Sequence, residues 1–142
     1  MTLLVDGDII LAKASIIRKC TATIRSLTSH EPALDPWLVQ DVTVLNLQRA
    51  IQACLDIAHH IIAANGWELP SSARQAFEIT ARHGFLRDAL LPAMVSAAGF
   101  RNVAVHEYIA LAPAVIAGIA RDHLGDLEAF ADDALRAIKE AQ

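Results

Sequence analysis

The chain has 142 residues, enough for one domain with its own core and too few for two comfortable ones. Hydrophobic residues make up 54% of it but aromatics only 5%, so the apolar mass is aliphatic and alanine-rich and favours packed helices over an aromatic-rich β-sandwich. A net charge of −4 excludes a broadly basic nucleic-acid coat, and any RNA must therefore meet a local cationic patch.

In chain order, apolar residues first recur with helical spacing from about Asp8 to Leu27, at Ile9, Ile10, Ile16, Ile17, Cys20, Ile24 and Leu27. Thr28 to Pro36 reads as a connection, because Pro32 and Pro36 each restrict the residue before them. Asp35 and Pro36 form an N-cap and N1 pair, from which a long second helix is predicted to reach Asn65. Its stripe runs through Leu38, Val42, Leu45, Ala50, Ile51, Leu55, Ala58, Ile61 and Ile62, and Asn65-Gly66 is a left-handed stop.

Ser72 with Gln75 fits a capping box, so a short third helix is expected to carry Ala76, Phe77 and Ile79 inward and to halt near His83-Gly84. A fourth helix is predicted from about Leu86 to Tyr108, with Pro92 kinking it or marking its true start. Ala97, Ala98 and Gly99 give it a small-residue surface. The last helix is predicted from near Pro113 towards Ile138, with Gly125 its weak point. Without strand-like alternation or repeats, the expectation is an all-α, single-domain bundle of about five helices spanning residues 1–142, two of them long.

Cys20 and Cys54 lack CxxC spacing and lie in apolar helical contexts, as reduced core residues do. The start has no signal-peptide pattern, and the longest apolar run, Ile109 to Ala120, falls short of the roughly 18 residues of a membrane span. No membrane association and a cytoplasmic location are expected. Arg18, Lys19 and Arg25 crowd the first helix, whereas Asp122, Asp126, Glu128, Asp132 and Asp133 make the last one acidic. This asymmetry fits a basic groove, a basic partner or a plain solvated surface.

The densest chemistry lies in Gly99-Phe100-Arg101-Asn102-Val103-Ala104-Val105-His106-Glu107-Tyr108. An arginine can grip phosphate with a planar fork of donors, and a histidine can exchange a proton near neutral pH. On an ideal helix Asn102 and His106 share a face, and so do Arg101 and Tyr108, but Arg101 and His106 lie about 140° apart. They converge only if the arginine reaches round, the helix end distorts, or two copies of the chain meet. The plainer alternative is a surface ion pair from Arg101 to Glu107 or Asp88, with His106 an ordinary polar residue.

Asp56, His59 and His60 have helical ligand spacing, but no further metal-binding motif accompanies them, so capping or packing roles are expected. Ser71 and Ser72 lie in no nucleophile elbow, and no Gly-rich phosphate loop is present. Trp37 and Trp67 are expected to anchor the bundle from opposite ends of the second helix.

The run from Arg101 to His106 and Tyr108 resembles the Arg-(four residues)-His-x-Tyr motif of HepT-like toxins, a branch of the HEPN helical domains. Met94-Val95, Gly99-Phe100, Phe77-Glu78-Ile79 and the stretch Asp41 to Ile61 are similar to that family too, so the resemblance covers roughly residues 5 to 135. It implies a metal-independent, cofactor-free ribonuclease toxin working as a homodimer. The paired motifs face each other across one cleft, and the partner is a minimal nucleotidyltransferase antitoxin in a larger hetero-oligomer. In this carry-over Arg101 binds the scissile phosphate, His106 is the general acid or base, and Asn102 orients His106 or donates to phosphate. The products are a 2′,3′-cyclic phosphate and a 5′-hydroxyl. The resemblance also implies that Tyr108 is the residue the antitoxin adenylylates. Two alternatives stay open: a non-catalytic subunit that presents substrate to a nucleotidyltransferase, and a structural adaptor whose motif only builds the dimer. The Ile109–Ala120 run is a candidate dimer seam or simply buried in its own bundle.

Overall fold

In the computed structural model, which describes residues 3–106 and 112–141, six α-helices and one 3-10 turn make up the regular structure. No strand occurs among the described residues. Helix α1 spans Gly7–Thr28, α2 Pro36–Asn65, α3 Ala73–Arg82, α4 Leu91–His106, α5 Pro113–Asp122 and α6 Leu124–Ala141. The 30 residues of α2 extend about 45 Å and serve as the mast of the bundle. Helix α1 lies along it, α6 covers α1, and α3 and α4 pack on other sides of α2.

Local chemistry sets the helix ends. Asp6 caps α1 by accepting from the Asp8 and Ile9 amides, while its own N–H donates to Nε2 of His60 at 2.9 Å. Asn65 fastens the preceding segment, exchanging hydrogen bonds with the N–H and C=O of Leu4 at 2.8 and 2.9 Å. Asp35 caps α2 ahead of Pro36 as expected, and Gly66 closes it at φ 66°, a left-handed conformation that costs a side-chain-bearing residue steric strain.

The core is continuous across the helices. Ile10, Ile17 and Ile24 of α1 meet Leu47, Ile51, Cys54 and Ile61 of α2, with Phe77, Met94, Leu127 and Phe130 closing the remaining sides. Phe130 is edge-on to both Phe77 and Phe85, at centroid distances of 5.8 and 6.2 Å. Both cysteines are buried and free, and burial pushes the Cys54 thiol well above its ordinary range.

Several expectations need correction. The last predicted helix is two helices, which makes six: it breaks at His123, two residues before Gly125. Ala120 and Leu124 are buried on either side of the break, and His123 Nδ1 pairs with Asp126 at 3.1 Å beside it. Pro92 marks the first turn of α4, where no intrahelical N–H is missed, and a 3-10 turn at Asp88–Leu90 precedes it. The capping box is half formed: Ser72 Oγ accepts from the Gln75 amide, but the Gln75 side chain bonds Ser71 instead. Trp37 is no anchor, being 67% exposed, whereas Trp67 is half-buried and stacks on His83 at 4.1 Å.

The charge asymmetry between the first and last helices is largely internal bracing. Arg18 pairs with Asp132, and Arg25 with Glu128 at 2.6 Å, so α1 and α6 are clamped along their length. Asp133, almost fully buried, is shared by Arg87 at 2.6 Å and Arg136 at 3.1 Å.

Candidate functional site

Helix α4 buries Met94, Ala98 and Ala104, with Phe100 half-buried, and this face leaves Arg101 half-exposed and Asn102 exposed. The Arg101 side chain turns back along α2. Its Nε donates to Oε1 of Gln52 at 2.9 Å, and Nη1 makes a long 3.4 Å contact with Oδ1 of Asn102. Two residues of the sequence motif thus meet as neighbours along the chain, and a third residue, from another helix, holds one of them.

Gln52 is itself fixed from the far end. Its Nε2 donates to Oδ1 of Asp56 at 2.9 Å, and Lys13 Nζ donates to Oδ2 of the same carboxylate at 2.8 Å. An amide has one acceptor end and one donor end. With the guanidinium on its oxygen and the carboxylate on its nitrogen, only one orientation satisfies both. The relay Arg101–Gln52–Asp56–Lys13 therefore ties α4, α2 and α1 together. Burial alone acts to raise the Asp56 carboxyl, but hydrogen bonds from Lys13 and Gln52 and the Lys13 charge outweigh it and hold Asp56 below the usual carboxylate range.

Arg101 makes no ion pair with Asp88, and Glu107 lies outside the described residues. Its positive charge meets a neutral amide, and no carboxylate among the described residues pairs with it. A shallow depression bordered by Leu45, Gln48, Arg49, Gln52 and Arg101 opens at this point, so a second guanidinium, from Arg49, shares it. Leu45 is an exposed apolar residue at this surface, 44% accessible, and Leu38 continues the same α2 face two turns earlier.

His106 is the last residue of α4, which runs unbroken from Arg101, so the two Cα positions are about 140° apart around the axis. No distortion of the helix draws them onto one face. Tyr108 lies outside the described residues. Within the Ile109–Ala120 run, Ile116 and Ala120 are buried in the bundle and Val115 is exposed. Of the histidines considered as ligands, His60 is committed to the Asp6 amide and His59 is exposed. Among the described residues no three His, Cys, Asp or Glu side chains converge to hold a metal.

Reading the sequence alone passed over Gln52, Arg49 and Lys13. A signal existed: Gln48, Arg49 and Gln52 interrupt the apolar run of α2 within five residues, where a helix buried all round would continue with aliphatics. Their convergence on Arg101 needed the packing of α4 on α2.

Comparison with known proteins agrees with this architecture. A family model described as Ribonuclease HepT-like matches residues 14–134. The chain is 32% identical over 127 residues to the mRNA nuclease HepT of Shewanella oneidensis, covering 89% of this chain and 96% of that protein. A crystal structure of a toxin–antitoxin with AMP-PNP contains a chain 32% identical at a TM-score of 0.81, covering 93% of this chain and 98% of that one. The tri-AMPylated Shewanella oneidensis HEPN toxin in complex with MNT antitoxin is similar at a TM-score of 0.81 and 33% identity, covering 93% and 97%.

Proposed function

Because the chain belongs to the ribonuclease HepT-like family, we propose that it is a metal-independent endoribonuclease toxin of a type II toxin–antitoxin system, acting on RNA in the cytoplasm. Its counterpart is an antitoxin of the MNT nucleotidyltransferase kind, as for the similar toxin of Shewanella oneidensis. The observation that carries the reading is Arg101: a guanidinium anchored through Nε by a neutral amide at an open depression, with no carboxylate partner among the described residues.

The chemistry needs no metal because RNA brings its own nucleophile. The 2′-hydroxyl attacks the adjacent phosphorus, its proton passes to an imidazole, and the bond to the 5′-oxygen breaks as that oxygen is protonated. His106, whose side chain type titrates at about 6.5, supplies this proton transfer. Arg101 binds the non-bridging oxygens and offsets the negative charge that grows on them in the transition state. Asn102, in contact with Arg101, helps set the guanidinium plane or donates to the same phosphate. The products are a 2′,3′-cyclic phosphate and a 5′-hydroxyl.

A homodimer resolves the 140° separation of Arg101 and His106, since an imidazole from one copy then works beside the arginine of the other. The exposed apolar residues Leu45, which borders the Arg101 depression, and Leu38, on the same α2 face, offer the contact surface for that pairing. The whole chain, 1–142, is read as one HEPN-like domain, and the antitoxin adenylylates Tyr108 to silence it.

Purified wild type, Arg101→Ala and His106→Ala should be incubated with cellular RNA in chelator. Cleavage by the wild type, and its loss by at least about 100-fold in each variant with unchanged helicity, is expected. Equal cleavage by the variants would overturn the residue assignments. An inert wild type that still binds its nucleotidyltransferase would identify a non-catalytic subunit instead.

A further inference from the structure

Among the described residues, every lysine and arginine except Lys19, Arg49, Arg101 and Lys139 meets a carboxylate within 4.0 Å. In a chain with net charge −4, carboxylates thus accompany two thirds of the cations, and three of the four exceptions lie together. Lys19 and Arg49 border one depression between α1 and α2, which also holds Lys13, Asp56 and Gln52. Arg49 and Gln52 border the adjoining depression that contains Arg101. Lys139 alone lies elsewhere, beside the start of α1.

From this placement we infer that Lys19 and Arg49 form a phosphate track that carries the RNA backbone across α1 and α2 to Arg101, a deepening that rests on the nuclease reading. Four cations face one carboxylate along the two depressions, and that carboxylate, Asp56, is already engaged by Lys13 and Gln52. Lys19 and Arg49 are both exposed and are positioned on facing helices over Cys20. Their fields reach that thiol, which burial raises and these two cations partly lower. Carboxylates elsewhere on the surface repel a polyanion, so a strand is confined to the one strip where cations remain uncancelled.

The lining also says how RNA is held. Among the described residues no aromatic ring borders either depression, so these offer bases no stacking platform and the backbone is the part recognised. Binding is accordingly tolerant of sequence and steeply dependent on salt.

The test uses a fluorescein-labelled single-stranded RNA with full-length protein carrying His106→Ala, so that binding is read without cleavage. In that background Lys19→Ala with Arg49→Ala should weaken binding about tenfold and lower the slope of log affinity against log salt by about 1.4, at roughly 0.7 per lost phosphate contact. Lys139→Ala removes an equally unpartnered charge away from the track and should change neither quantity. With His106 restored, the double variant should raise KM and largely keep kcat. Native-like thermal melting of the exposed-site variants checks the fold.

Affinity and slope unchanged by the double variant would overturn the track while active wild-type cleavage left the nuclease reading standing. The track is likewise overturned if the variant keeps RNA but loses the antitoxin, since the strip then serves protein docking. Track-dependent binding without wild-type cleavage would keep the track and remove the nuclease. A wild type that neither binds nor cuts RNA overturns both.

Discussion

Gln52 holds Arg101 by its amide oxygen, at 2.9 Å from Nε, while its amide nitrogen is taken by Asp56. The arginine is thereby fixed in place by a neutral group, and among the described residues no carboxylate takes its charge. A phosphate-binding group benefits from both properties, since orientation lowers the entropic cost of the reaction and an uncancelled charge stabilises developing oxyanions.

Gln52→Ala should therefore impair cleavage without removing any group that touches the phosphate. A loss of about 10–100-fold in kcat is expected, in line with misplacement of a catalytic group by about 1 Å. Steady-state cleavage of a defined RNA measures it. Gln52→Glu should be at least as harmful, because the new carboxylate cancels the guanidinium charge. Full activity in both variants would show that Arg101 needs no such support.

The Asp56 pair makes a signed prediction about pH. Its carboxyl is held below the usual value in the folded chain, so deprotonated Asp56 stabilises the fold above the ordinary aspartate value of about 3.9. That contribution is lost as pH falls through the lower, folded value. Wild type should melt above Asp56→Asn at pH 7, and the gap should close in acid. Thermal melts of both proteins across that range would expose a constant gap, which contradicts the sign.

Asp133 should matter to stability more than its place in an acidic helix implies. Its carboxylate is 7% accessible and receives both Arg87 and Arg136. Asp133→Asn loses charge-assisted bonds in a largely dry setting and should cost about 1–3 kcal/mol in urea unfolding. The exposed Asp122, paired only with its neighbour Arg121, should cost little when changed to Asn.

Tyr108 provides the regulatory prediction. Incubation with the cognate nucleotidyltransferase and ATP should add adenylyl mass to the peptide containing Tyr108, and cleavage should fall in parallel. Tyr108→Phe lacks the accepting hydroxyl and should stay unmodified and active in the antitoxin's presence. Mass spectrometry finding the adduct elsewhere, or on the Phe variant, would move the switch to another residue.

Much of the fold was legible because helix signals are local. The Asp35-Pro36 start and the Asn65-Gly66 stop bracket α2 as read from the sequence, since capping and left-handed termination involve groups within a few residues. The break at His123 was legible only as a weak point at Gly125, two residues later, because no proline or glycine stands at the break itself. Trp37 misled because its hydrophobicity is a property of the residue, whereas its exposure is decided by the packing around the start of α2.

The candidate site divides in the same way. Arg101, Asn102 and His106 are neighbours along one helix, and their chemical types and spacing were set by the sequence alone. The angular separation of Arg101 and His106 was set with them, as helix geometry admits no other value while α4 stays regular. Only tertiary packing decided that Gln52 meets Arg101, that α6 carboxylates absorb Arg18 and Arg25, and that Lys19 and Arg49 stay uncancelled. Covalent order sets contacts along one helix. Contacts between helices depend on how buried faces mesh, and that is decided by the whole core at once.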